Sequence, residues 1–415
     1  MYLTKKEEKI LAGEEGETLQ KAMGILAALG DIYEADSLIP IRSAQISGVS
    51  YKTIGDAGLE WISDLKGTVK VPSVLNPAGM DTEDRERLNI DPHFAEKQIE
   101  IINVFRSLGI RPQCTCTPYY LKGFDISFGD HLAWGESSAV SFANSVLGAR
   151  TNREGGPSAI SAALIGKTPN YGLHLAENRK PTVVIRTEMP LSGADFGALG
   201  YLAGKIAGSG VPYFEMTDTK GRSGSGDGAG MIVPGKDELK ALGAAMAASG
   251  AVALYHIRGV TPEACRKDFE APSGDRETEI VTIERKDLDG VYESAFTESG
   301  ESVPTDLVTV GCPHCSAEEL REIASLLEGK TVVKEFWIFT SREVAGDNAD
   351  LVRKIEESGA KVVCDTCMVV SPAADRFSCV RVNSGKAYAY VPGMCGAGAV
   401  FGTLRSCVDD ATGKR

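Results

Sequence analysis

The sequence predicts an α/β protein of several layered subdomains, with parallel-sheet βαβ units gathered around a central cleft. Two observations carry the α/β class. Strand-like apolar runs at 306–310, 331–339 and 361–363 alternate with helix-like stretches at 316–327 and 342–359. Alternation of this kind builds a parallel sheet covered by helices. The same alternation occurs earlier, where runs at 181–186 and 251–257 are separated by helical stretches at 197–207 and 237–248. At 415 residues, 43% hydrophobic and 24% charged, the composition is ordinary for a globular chain with room for two or three domains. We expect three α/β regions, 1–180, 181–300 and 301–415. The first carries the first Cys motif and substrate loops, and the last carries the other Cys motifs.

Taken in order, 7–30 reads as a pair of amphipathic helices punctuated by Gly13 and Gly16. Ile99, Ile102, Val104, Phe105 and Leu108 give a helical stripe over 94–108, closed by Gly109. Cys114 and Cys116 follow in a short extended segment that stops at Pro118. The stretch 137–147 is a helix of small residues suited to close packing. The polar, Gly-rich turn at 151–157 lies between two Ala-rich helices and is expected to be an exposed loop able to carry function. The Gly/Ser-rich stretch 221–235 reads as a surface loop, since it matches neither a P-loop nor a dinucleotide fingerprint. The charged stretch 268–302 reads as a solvated edge connecting domains. Ser316-Ala-Glu-Glu319 is a capping box. Cys312 follows one strand, and Cys364 and Cys367 follow another. Those are carboxyl ends, where open α/β sheets bind ligands.

The formal net charge is −13. A diffuse negative field argues against a nucleic-acid partner, whose phosphates need clustered Lys and Arg. It leaves room for a small anion held by a few local cations. The first sixteen residues are rich in Lys and Glu and lack the apolar core of a signal peptide. No apolar run is long enough for a membrane span. A cytoplasmic location is expected, where ten Cys are reduced thiols or metal ligands rather than disulfides.

Three cysteine motifs stand far apart: Cys114-Thr-Cys116, Cys312-Pro-His-Cys315 and Cys364-Asp-Thr-Cys367. Three chemistries compete for them. The two C-x-x-C pairs can form a structural zinc site, although the gap between them is far longer than in a zinc ribbon. Cys312-Pro-His-Cys315 can perform thiol–disulfide exchange, with helix amides and a neighbouring His lowering a thiol pKa. One thiolate from each segment can instead hold an iron–sulfur centre. With only three thiolates, one iron stays open as a Lewis acid, which suits loss of a poor leaving group such as hydroxide. Cys265, Cys379, Cys395 and Cys407 read as buried small hydrophobes.

Further segments extend the pattern: Ser47-Gly-Val-Ser50, Asn76-Pro-Ala-Gly79, Cys116-Thr-Pro-Tyr119, Trp134-Gly-Glu-Ser-Ser-Ala139, Thr151-Asn-Arg-Glu-Gly-Gly-Pro157, Gly311-Cys-Pro-His314, Asp365-Thr-Cys367 and Asn383-Ser-Gly-Lys386. In this ordered set the sequence resembles the aconitase X group of the aconitase superfamily. The resemblance implies an iron–sulfur hydro-lyase with an aconitase-like multi-subdomain architecture that lacks the swivelling domain. Cys116, Cys312 and Cys367 would hold the cluster, 4Fe–4S in type and partial after oxidation. The implied reaction is loss of water from (R)-5-phosphomevalonate, giving trans-anhydromevalonate 5-phosphate in the archaeal mevalonate route to isoprenoids. Dehydration of cis-3-hydroxy-L-proline is the alternative within the group. A small swivelling domain completes such sites. This chain ends soon after Lys386, so that domain is expected as a separate small subunit. The superfamily's base is a Ser of that domain. None of the five His has a persuasive catalytic setting, and His314 suits a place behind the cluster ligands.

Each implied site residue also has an ordinary reading. Glu136 and Ser137 are the candidate catalytic residues, yet Glu136 suits a first-turn helix carboxylate and Ser137 a cap. Gly48, Val49 and Ser50 can present amides to an anion, or form a simple turn. Asn76 and Pro77 suit a ligand wall or a plain loop. Arg153 can fork onto a carboxylate or phosphate, or pair with Glu154 or Asp195. Lys386 is implied to bind substrate, against the usual solvated Lys. Gln45 stands where the family pattern suggests His, and keeps a hydrogen-bond donor there.

Overall fold

The structure is a computed structural model describing residues 1–218, 230–272, 278–295 and 300–414. By contact the chain divides into two units. One comprises Met1–Arg179 with Cys364–Pro372, the other Lys180–Val363 with Ala373–Arg415.

The first unit is built on a parallel sheet of three short strands, ordered Ser73–Leu75, Ala44–Ile46, Ala133–Trp134. All of their residues are buried, as a sheet covered on both faces requires. Single parallel pairings widen it, Leu75 with Cys114 and Trp134 with Arg153. Five neighbouring segments thus run in one direction, across about 20 Å at ordinary strand spacing. The helices Glu17–Ile32 and Gly156–Ile165 cover the sheet with Met23, Leu26, Ala159 and Ala163, packed with Ile46 and Leu75 in one core. The Pro92–Ser107 helix turns Ala95, Gln98, Ile101, Ile102 and Phe105 inward. The expected stripe is therefore rotated, since Ile99 and Val104 are only half-buried. A polar Gln98 in the core register is invisible to a pattern of apolar residues. The expected helix over 137–147 begins as Ser137–Phe142 and finishes as a π-helical turn, Ala143–Leu147.

The second unit holds two sheets. In the first, Glu279–Thr282, Val183–Glu188 and Pro212–Asp218 are parallel neighbours, with Gly230–Met231 antiparallel at the edge. The strand expected at 251–257 shrinks to His256–Ile257. Ala251 enters the left-handed region, φ 64°, so the chain leaving the Lys236–Ser249 helix is not immediately extended. The second sheet is ordered Lys361–Cys364, Glu335–Thr340, Leu307–Cys315, Cys379–Val382, Gly398–Phe401. Its middle strands are parallel, as the βαβ alternation predicts. Val308, Val310, Phe336 and Ile338 meet Leu320 and Ile323 of the Ala317–Leu327 helix, which starts on the expected Ser316 capping box.

Three further expectations change. Cys312 lies within the Leu307–Cys315 strand rather than after it, past a shift in register between Val310 and Cys315. The helix expected at 342–359 breaks at Asn348, φ −125°, into Arg342–Asp347 and Ala349–Glu357. The supposed solvated edge at 268–302 contributes a sheet strand and the Arg285–Tyr292 helix, with 273–277 and 296–299 outside the described residues. Most of the Gly/Ser-rich stretch 221–235 also lies outside them. No helix of the described residues is long and apolar enough to cross a membrane.

Candidate active site

In the first unit, the predicted site residues gather at the carboxyl edge of the five co-directional segments. Gly48, Val49 and Ser50 follow Ile46, and Asn76 and Pro77 follow Leu75. Cys116 follows Cys114, Glu136 and Ser137 follow Trp134, and Arg153 pairs with Trp134 itself. Gln45 ties two of these segments together. Its Nε2 donates to the Thr115 carbonyl at 2.8 Å, and its Oε1 accepts from the Glu136 N–H at 3.3 Å. The donor expected at this position is thus committed to backbone.

Glu136 is the cap of the Ser137–Phe142 helix. Its Oε2 accepts from the Ala139 N–H at 2.7 Å and the Ser138 hydroxyl at 2.5 Å. The Ser137 hydroxyl donates to Oε1 at 3.3 Å. The cap thus falls to Glu136 rather than to Ser137, which is the helix's first residue, and capping fixes the carboxylate in one orientation. Gly48 has φ 72°, a turn that an L side chain resists. Ser50 caps the Tyr51–Ser63 helix, accepting from the Lys52 N–H at 3.2 Å. The Asn76 N–H donates to the Ile46 carbonyl at 2.8 Å, while its Oδ1 is buried with no hydrogen-bond partner among the described residues. Arg153 is exposed. The carboxylates named for it have other partners: Glu154 accepts from Thr168 at 3.0 Å, and Asp195 binds Arg285 at 3.0 Å and Tyr292 at 3.1 Å. The 151–157 stretch is less exposed than expected, with Thr151, Asn152 and Glu154 buried.

The segment Cys364–Pro372 is stitched to the same edge. Ala78 pairs with Thr366, its N–H donating to the Asp365 carbonyl at 2.7 Å. Asp81 accepts from the Cys364 N–H at 3.0 Å, and Thr82 donates to the Asp365 carboxylate at 2.6 Å. The Ser50 hydroxyl donates to the Val370 carbonyl at 2.8 Å. On the other side, the Thr115 N–H donates to the Leu75 carbonyl at 2.9 Å. Cys116 and Cys367 each lie one residue beyond a backbone tie to the 75–78 stretch, and three residues of chain span at most about 10 Å. Cys114, Cys116, Cys364 and Cys367 are all buried.

In the second unit, Cys312 meets the start of the helix that carries Lys386, at the carboxyl edge of the second sheet. The Ser384 hydroxyl donates to the Cys312 carbonyl and caps the Gly385–Cys395 helix. Lys386, in that helix's first turn, is 5% exposed, which corrects the solvated reading. Cys312, Ser384 and Lys240 line a cavity of about 490 Å³. Lys240 is buried, pairs with Glu319 and with Asp237 at 3.0 Å, and donates to the His314 carbonyl at 3.3 Å. Burial raises the Glu319 carboxyl's pKa, with Lys240 opposing the shift. His314 is fully buried. Among the other cysteines, Cys395 and Cys407 are buried as expected, but Cys265 is exposed in a turn and Cys379 is half-buried.

Among the described residues, no group of three or more His, Cys, Asp and Glu forms a metal site. In kind, however, the donors suit an iron–sulfur cluster. Buried thiols, the usual cluster ligands, sit on two segments tied to one loop, and that loop carries the Asn76 Oδ1, buried with no hydrogen-bond partner among the described residues. Gln98, Asp81 and Thr82 were missed as parts of this edge. Gln98 left one signal, a polar residue inside a helix's core register. Asp81 and Thr82 left none, because their partners are 283 residues away.

Family models cover most of the chain. Those described as the first, second and third domains of aconitase X match residues 1–177, 181–293 and 305–413. A phosphomevalonate dehydratase large subunit from Methanosarcina mazei is 64% identical over 100% of this chain and 98% of its own length. A cis-3-hydroxy-L-proline dehydratase from Hypocrea jecorina is 33% identical over 99% of this chain but 68% of its own length. The crystal structure of Thermococcus kodakaraensis aconitase X in its holo-form superposes with a TM-score of 0.86 at 45% identity, covering 99% of this chain and 100% of that one. The mixed α/β fold with parallel sheets matches that neighbour.

Proposed function

The chain belongs to the aconitase X family, and from that premise we propose that it acts as the large subunit of a phosphomevalonate dehydratase. Its reaction removes water from (R)-5-phosphomevalonate to give trans-anhydromevalonate 5-phosphate. One observation carries the reading: Gly48–Ser50, Asn76–Pro77, Cys116, Glu136–Ser137 and the Cys367 segment gather at one carboxyl edge.

We assign the cluster to Cys116, Cys312 and Cys367. When bound, a 4Fe–4S cluster with one iron lacking a protein thiolate supplies a Lewis acid for the leaving hydroxyl. The chain's own residues bind and orient the substrate. Backbone amides of Gly48, Val49 and Ser50 take an anionic group, as a turn with positive φ permits. The Asn76 Oδ1 accepts from a substrate hydroxyl, and Pro77 walls that side. Lys386 and Arg153 supply cations for carboxylate and phosphate. Glu136, fixed by its own helix, contacts the substrate with a carboxylate that needs no reorientation.

The reaction breaks one C–H and one C–OH bond and forms a C=C bond, so a base must take the carbon-bound proton. We place that base, a serine, on a small swivelling subunit, in keeping with relatives named as large subunits. A cytoplasmic setting accords with ten cysteines that form no disulfide.

The test is turnover by the chain reconstituted anaerobically with its small subunit, supplied in parallel with phosphomevalonate and cis-3-hydroxy-L-proline. Consumption of phosphomevalonate with appearance of the unsaturated product is expected. Preference for hydroxyproline would move the assignment to the relatives that match over less of their own length.

A further inference from the structure

We propose that Gln98 is a positioning residue that sets the distance between the two substrate loops, 48–51 and 76–79. What those loops hold rests on the dehydratase reading; that they are held together rests on hydrogen bonds alone. Gln98 is 0% exposed on the Pro92–Ser107 helix. Its Oε1 accepts from the Gly79 N–H at 2.8 Å and the Tyr51 N–H at 3.1 Å. Its Nε2 donates to the Val49 carbonyl at 2.9 Å. Both lone pairs and one of the two N–H donors are thus spent on these loops.

The two loops follow different strands, and no sequence neighbourhood ties them. They also abut. A Cβ on Gly79 would lie 2.6 Å from the Ser50 Oγ and 2.5 Å from Phe94 Cζ. A substrate touching Gly48–Ser50 at one end and Asn76–Pro77 at the other reads the spacing that this amide fixes. The neighbouring inward positions Ala95, Ile101, Ile102 and Phe105 are apolar. An apolar residue at 98 would fill the same space and leave the Tyr51 and Gly79 donors without it.

Two variants separate holding the loops from supporting the fold. Gln98→Met keeps the volume and removes all three bonds. Gln98→Glu keeps an acceptor for both amides but turns a second oxygen toward the Val49 carbonyl. In the reconstituted two-subunit enzyme, Gln98→Met is expected to raise KM about tenfold with kcat within about threefold. Gln98→Glu should fall between it and wild type, and iron and acid-labile sulfide content should stay at wild-type levels. Amide exchange at Tyr51 and Gly79 should quicken about tenfold in Gln98→Met, while Ile101–Phe105 keeps its protection. Wild-type exchange at both amides overturns the proposal. So does an unchanged KM in an active enzyme, or exchange raised evenly along the helix. If the wild-type enzyme leaves phosphomevalonate untouched, the dehydratase reading fails by itself, and the exchange measurement still decides whether Gln98 holds the loops.

Discussion

Single residues at the edge separate into those committed to the fold and those with capacity left over. Asn76 is of the second kind: its backbone N–H holds Ile46, but its buried Oδ1 has no partner among the described residues. Asn76→Ala removes an oxygen whose desolvation is uncompensated, so stability should change by less than about 1 kcal/mol. Substrate affinity should fall about tenfold or more, read as a rise in KM beside an unchanged melting temperature. His174 lies away from that edge, in the Gly172–His174 turn, where it pairs with a second ring. Its Nδ1 lies 3.0 Å from that of His131, so one ring donates and the other accepts. Burial pushes His174 down to about 3, with His131, Arg179 and Arg150 adding to it. His131 is lowered by burial, Arg150 and Arg179 against the pull of Asp130. Each ring takes its proton more readily in the unfolded chain, near pH 6.5. Their stabilisation is therefore fully present above that pH and is lost as pH falls toward 3. The loss runs at up to about 1.4 kcal/mol per pH unit for His174. Denaturant unfolding between pH 7 and 5 should show this slope, and His174→Gln should flatten it; equal slopes would mean the pair does not titrate with folding.

At the scale of elements, the βαβ run was legible because apolar strands and capped helices leave local marks. Ser316 capped its helix as the Ser-Ala-Glu-Glu pattern required, and the carboxyl-end placement of the cysteine motifs followed from strand order. Elements decided by distant partners were not legible. The Ser73–Leu75, Ala44–Ile46 and Ala133–Trp134 strands have two or three residues each, too few to show a period. The breaks at Asn348 and at the π-turn of 143–147 lie inside patterns that stay helical in composition. The motifs that hold the candidate site residues were visible in the sequence, but the ties among their segments were not, since they are single hydrogen bonds between residues far apart along the chain. Asp81 shows how such a tie can be tested. It accepts from the Cys364, Glu83 and Asp84 N–H groups at 3.0, 3.0 and 3.2 Å, so it binds the loop carrying Cys367 to the turn after Gly79. Asp81→Ala leaves those donors without this acceptor and should cost about 2–3 kcal/mol. After anaerobic reconstitution its iron content should drop below half of wild type, whereas full iron retention would show that the Cys367 loop holds its place without Asp81.

For the whole molecule, order along the chain and order by contact disagree at one place, and that place carries Cys367. Residues 364–372 emerge from the Lys361–Cys364 strand, yet belong by contact to the unit of Met1–Arg179. There they receive Ser50, Lys52, Ala78 and Thr82. The first unit's candidate substrate loops are thus completed by a segment encoded nearly two hundred residues after that unit's main body ends. Replacing 365–371 with a Gly/Ser segment of equal length keeps the covalent path, removes the Asp365 carboxylate, and loosens the backbone whose carbonyls receive Ser50, Lys52 and Ala78. Hydrogen exchange should then rise about tenfold or more at 48–52 and 76–82. Val308–Val310 and Phe336–Ile338 should stay protected, since they lie in a buried sheet with its own core. Unchanged protection at 48–52 and 76–82 would make the segment a passenger of the later sheet. Loss confined to those loops would show that this segment completes the edge; on the proposed assignment, metal at Cys367 and substrate at Ser50 and Asn76 would then share one set of backbone bonds, and each would stabilise the binding of the other.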